Sequence, residues 1–140
     1  MKIILSVFYL GYFKYAPGTL ASLLTMFLCF FVMPLNLFNP LLIFSTILGF
    51  STCYIFSKNN IEKDPSYIVI DEVVGMFLCL LFLPKNLFLY FMAFFLFRFF
   101  DILKPSIIFK SQNSKYGIGI MMDDILAALL VNLMLINYSL

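Results

Sequence analysis

The chain contains no histidine. Serine–histidine–aspartate triads, cysteine–histidine pairs and imidazole zinc sites are therefore excluded. Cysteine is scarce, and Cys29, Cys53 and Cys79 each sit inside an apolar run. Their spacing fits neither a disulfide framework nor a metal knuckle. None is followed six residues later by arginine, which argues against a phosphocysteine mechanism. Charge is also sparse, at 11% of 140 residues against about a quarter in ordinary domains. The net charge of +2 comes without a basic run, so nucleic acid is not an expected partner. No P-loop or dinucleotide fingerprint is present.

What is abundant is apolar surface. Hydrophobic residues make up 64% of the chain. A soluble domain of this size has too little interior to hide them. The expected solvent for most of the chain is lipid. Pro17, Pro34, Pro40, Pro65, Pro84 and Pro105 fall between apolar runs or at their edges. Proline is tolerated where helices start and resisted inside them. The runs between them cover roughly 19–33, 41–57, 68–83, 87–103 and 120–138. They are continuous rather than alternating, which predicts helices and not a barrel. The expected fold is all-α, an integral membrane bundle of about five helices forming a single domain over 1–140. The first and third runs are short for a span of about 17–25 residues, which allows a re-entrant course. The stretch 3–13 is too short to span, and no small-residue cleavage site follows it. It reads as an interfacial or re-entrant helix. Segment 2 carries Ser45, Thr46, Gly49, Ser51 and Thr52 and reads as scaffold that favours close helix packing.

With a cytoplasmic N-terminus, seven lysines fall inside and only Lys85 falls outside. The positive-inside rule then sets the N-terminus in and the C-terminus out. In that orientation Asp71 and Glu72 open segment 3, Arg98 and Asp101 close segment 4, and Asp123 and Asp124 open segment 5. Lys104 follows Asp101 at the same end. Five carboxylates and two cations thus converge on the cytoplasmic face. The helix dipole favours acids near a helix start without any function. Adjacent acidic pairs on two separate helices exceed what capping requires. Bare carboxylates this close repel, so that some stay protonated, and a hard divalent ion such as Mg²⁺ removes that penalty. Arg98, Asp101 and Lys104 wind along one side of a helix, where a guanidinium and an ammonium suit a phosphate. Ala16-Pro17-Gly18-Thr19 reads as a turn in which glycine supplies positive φ. Thr19 there serves either an anion or an ordinary N-cap. Gly117 and Gly119 either let backbone approach a head group or relax the turn into segment 5.

Four ordered stretches carry a resemblance. They are Gly11-Tyr12-Phe13-Lys14-Tyr15-Ala16-Pro17-Gly18-Thr19, Asp64-Pro65 with Ile68 to Gly75, Phe97 to Pro105, and Gly117 to Asp124. In order and spacing they resemble the bacterial phosphatidylglycerophosphatase A family, from about residue 11 to 128. The resemblance implies a Mg²⁺-dependent phosphatase of the bacterial inner membrane, multi-pass, with its site on the cytoplasmic face. It implies phosphatidylglycerophosphate as substrate, with phosphatidylglycerol and inorganic phosphate as products. Asp71, Glu72, Asp123 and Asp124 become candidate metal ligands or bases. Arg98, Asp101 and Lys104 become the phosphate-handling group, and Gly18, Thr19, Gly117 and Gly119 become candidate substrate contacts. Ser106, Ile107, Tyr116 and Ala128 depart from the family pattern without removing an ionisable group. The alternatives are a small cation transporter and a non-catalytic membrane scaffold. Against transport, the charges gather at one face rather than at mid-membrane.

Overall fold

The computed structural model describes residues 2–33, 36–59, 65–103 and 118–139. Six α-helices and one 3₁₀ turn are present, with no strand among the described residues. They are α1 (Lys2–Leu5), the 3₁₀ turn Leu10–Tyr12, α2 (Pro17–Val32), α3 (Phe38–Asn59), α4 (Ile70–Leu80), α5 (Leu87–Leu103) and α6 (Ile118–Ser139). The five long helices match the five apolar runs, and proline opens two of them. Pro17 takes the first position of α2, and Pro40 lies in the first turn of α3.

The third run departs from its expected length. Only 11 residues are helical. That is about 16 Å of helix, about half a hydrocarbon core. Nine of the eleven residues are buried. α4 is the hub of the bundle and packs against α2, α3, α5 and α6. Hydropathy alone does not distinguish such a core helix from a span. Its C-terminal end is finished by Asn132 of α6, whose Nδ2 donates to Cys79 O at 3.0 Å and Leu81 O at 2.7 Å. Carbonyls at a helix end lack intrahelical donors, and here a neighbour supplies one.

α3 buries Phe38, Leu42, Cys53 and Phe56 together with Ser45 and Thr52, and exposes Ile43, Phe44, Ile47, Tyr54 and Ile55. Its buried hydroxyls bond their own helix, Ser45 to Leu42 O and Thr52 to Leu48 O. Among the described residues, two helical stretches are long and apolar enough to cross a membrane, Phe38–Lys58 and Gly119–Tyr138.

The N-terminal stretch is not the continuous helix expected. Val7, Phe8 and Tyr9 all have positive φ, which breaks it into α1 and the 3₁₀ turn. Left-handed backbone costs a non-glycine residue roughly 1–2 kcal/mol. Hydrogen bonds hold this strap in place: Gly11 N donates to Ser6 O, and Val69 N to Leu5 O, both at 2.9 Å. Tyr12 stacks on Tyr67 with ring centroids 5.3 Å apart. A Cβ on Gly11 would overlap Tyr67 O. The strap therefore fixes the backbone that leads into α4.

Candidate active site

Asp71 and Glu72 occupy the first turn of α4, and Asp124 lies in the second turn of α6. Close packing of α4 on α6 brings all three together. One carboxylate oxygen from each lies within 4.8 Å of the other two. They line a cleft of about 370 Å³ with Asp101, Asp123, Ser66, Ile68 and Ile102. Arg98 Nη1 lies 2.7 Å from Asp101 Oδ2 and 3.9 Å from Glu72 Oε1. The predicted convergence of three helix ends is thus present in space.

The arrangement is electrostatically unfinished. Two ionised carboxylates 4.8 Å apart repel by about 3 kcal/mol at an effective dielectric constant of about 20. Glu72 Oε2, Asp124 Oδ2 and Arg98 Nε are buried with no hydrogen-bond partner among the described residues. Buried polar atoms are rarely left so, and each orphan points to a missing ligand. An all-oxygen donor set of this compactness fits a hard divalent cation. The adjoining guanidinium fits an oxyanion.

Individual candidates fall out differently. Asp71, Glu72 and Asp124 form the compact triad. Asp123 is buried and lines the cleft outside that triad. Residues 123 and 124 are neighbours about 100° apart on one helix, so both cannot aim at one point. Asp101 lines the cleft and pairs with Arg98. Thr19 is half-buried on α2 and Gly119 is buried on α6, and neither lines the cleft. Lys104 and Gly117 lie outside the described residues. Gly18 has a helical backbone rather than the positive φ expected of the turn; Ala16 carries that conformation, with φ 45°. Ser66, Ile68 and Ile102 escaped the sequence reading because nothing in their type marks them. Asn132 gave a usable signal, as a lone amide in an apolar run needs partners.

A sequence profile of the phosphatidylglycerophosphatase A family matches residues 3–138. The chain belongs to that family. Membership makes it a phosphatase, and the resemblance carried by the four motifs is borne out. A Haemophilus influenzae phosphatidylglycerophosphatase A is 38% identical over 119 residues, covering 81% of this chain and 73% of the relative. The Escherichia coli phosphatidylglycerophosphatase A is 32% identical over 118 residues, covering 81% and 69%. A Bacteroides thetaiotaomicron protein, provisionally named a phosphatidylinositol-3-phosphatase, is 38% identical over 129 residues, covering 84% and 79%. No solved structure matches the chain.

Proposed function

We propose that the chain is an integral membrane phosphatase. It hydrolyses phosphatidylglycerophosphate to phosphatidylglycerol and inorganic phosphate in glycerophospholipid synthesis. The carrying observation is the cleft in which three carboxylates from two helices stand within 4.8 Å beside Arg98. The large apolar side chains that α3 exposes, Ile43, Phe44, Ile47, Tyr54 and Ile55, support a lipid surround. The lysine asymmetry supports a cytoplasmic site in a bacterial inner membrane. A lipid phosphate lies at that same depth.

In this reading Asp71, Glu72 and Asp124 hold Mg²⁺. The ion, when bound, supplies positive charge that draws in phosphate oxygens and polarises phosphorus. Arg98 binds a non-bridging phosphate oxygen, and Asp101 orients Arg98 through their ion pair. Lys104, three residues after Asp101 in the sequence, is the second cation offered to the phosphate. Asp123, at the cleft wall, accepts a proton from the attacking water. Water oxygen bonds to phosphorus as the bond to the glycerol oxygen breaks; that oxygen takes a proton from solvent water, and Asp123 returns its proton to solvent.

Phosphate release in detergent micelles tests the reading, with Mg²⁺ and with chelator. Release from phosphatidylglycerophosphate that chelator and Asp124→Asn both abolish is the expected result. Metal-stimulated flux in vesicles with no phosphate release would turn the reading to transport. The name of the Bacteroides relative favours a second substrate reading, a phosphoinositide monoester. Offering phosphatidylinositol 3-phosphate and phosphatidic acid in the same assay separates the substrates.

A further inference from the structure

Gly18 is buried in the first turn of α2, against the acidic cluster. Its backbone is one that alanine adopts readily, so conformational freedom does not explain a glycine there. Space does. A Cβ built on Gly18 overlaps Glu72 Oε1 and lies 2.9 Å from Glu72 Cδ and 3.4 Å from Arg98 Nη1. The two helices pack against each other here. On α2, Ala21 is buried and Ser22 Oγ, also buried, donates to Gly18 O at 2.8 Å. On α4, Asp71, Val73 and Val74 are buried around Glu72. The movable part is the Glu72 side chain.

We propose that Gly18 is a positioning residue: the volume left by its missing side chain seats the Glu72 carboxylate between Arg98 and the Asp71–Asp124 pair. The inference rests on the reading of that triad as a divalent-cation site. It moves Gly18 from substrate contact to support of a metal ligand. A methyl group here displaces one donor without touching the others. Groups that hold metal ligands in place typically contribute about 10- to 100-fold in affinity.

The test uses the full chain in detergent micelles, with Mn²⁺ as the probe and free Mn²⁺ read by electron paramagnetic resonance. Gly18→Ala is expected to keep its helical circular dichroism and to bind Mn²⁺ about 10- to 100-fold more weakly. Glu72→Asp withdraws the carboxylate by one methylene, which clears the added methyl. The double variant is therefore expected to lose less than the product of the two single losses. Wild-type Mn²⁺ binding in Gly18→Ala, or losses that multiply, overturns the proposal. Loss of helix in both Gly18→Ala and the double variant overturns it as well, because backbone packing would then be the reason for glycine. Lipid hydrolysis by the wild type runs alongside. Phosphate release with Mn²⁺ binding unchanged in Gly18→Ala sinks this inference alone. Tight Mn²⁺ binding weakened by Gly18→Ala, with no phosphate released, upholds the positioning and sinks the phosphatase reading. A wild type that binds no Mn²⁺ overturns both.

Discussion

The two ends of α4 face opposite problems. At its C-terminal end, the polar groups are matched. Asn132 serves two carbonyls, Tyr90 Oη lies 3.0 Å from Met33 Sδ, and the Lys85 ammonium sits 4.3 Å over the Phe30 ring. At its N-terminal end, buried carboxylate and guanidinium atoms lack hydrogen-bond partners among the described residues. The same helix is finished at one end and open at the other. Satisfied polar groups hold a fold together, whereas an excess of like charge is relieved by protonation or by a bound cation. In the proposed function, the contrast separates the half of the bundle that supports from the half that acts.

The largest expected effect comes from removing a carboxylate at the open end. Asp124→Asn should lower Mg²⁺-dependent phosphate release by at least about 10²-fold, the scale of losing one preorganised electrostatic contact in a site. In chelator the same variant should melt no lower than the wild type, since one repelling charge is gone. A variant that melts well below the wild type, with activity lost in proportion to unfolding, would make Asp124 a structural group. Next comes Arg98→Gln, which removes the one described cation in ion-pair contact with Glu72 and Asp101. Phosphate release should fall by about 10- to 100-fold, within the range of charged hydrogen bonds worth about 1.5–3 kcal/mol. Mn²⁺ binding should be held or strengthened, because the competing positive charge is lost. A parallel fall in Mn²⁺ affinity would show that Arg98 supports the triad rather than the phosphate.

How much of this was legible beforehand follows from the physics of each region. The first four helices were readable because proline stands at or near at least one border of each apolar run, and the fifth because its run is long and continuous. The acidic cluster was readable because charge in an apolar chain is costly, so its placement is informative. Three things were hidden. The shortness of α4 was not visible, since Leu81, Phe82 and Leu83 continue the apolar run after the helix ends. The left-handed break at Val7 to Tyr9 was masked by residue types that seldom adopt it. The split between Asp123 and Asp124 depends on how α6 is rotated about its axis, which adjacent identical residues do not reveal. Gly18 was noticed for the wrong reason: the turn needed a positive φ, and Ala16 supplied it.

The finished end should respond to mutation in stability and leave chemistry alone. Asn132→Leu strands Cys79 O and Leu81 O in an apolar interior. Leaving a buried acceptor unserved costs about 1–3 kcal/mol. Denaturation in detergent should show that loss, while Mn²⁺ affinity stays within about twofold if the two ends are energetically separate. A tenfold change in Mn²⁺ affinity would instead mean that α4 transmits strain along its short length, and the division between ends would fail. The smallest effect belongs to Thr25→Val. Thr25 Oγ1 donates to Ala21 O at 2.8 Å within α2, and Thr25 is buried. That carbonyl keeps its helical backbone donor when the hydroxyl is removed, and valine fills nearly the same volume. Stability should therefore change by less than about 1 kcal/mol, the net worth of one ordinary hydrogen bond. Asn132 and Thr25 are both buried polar residues in apolar helices. They differ in whether their partner has another donor, and a loss at Thr25 as large as that at Asn132 would show that this difference does not govern the bundle.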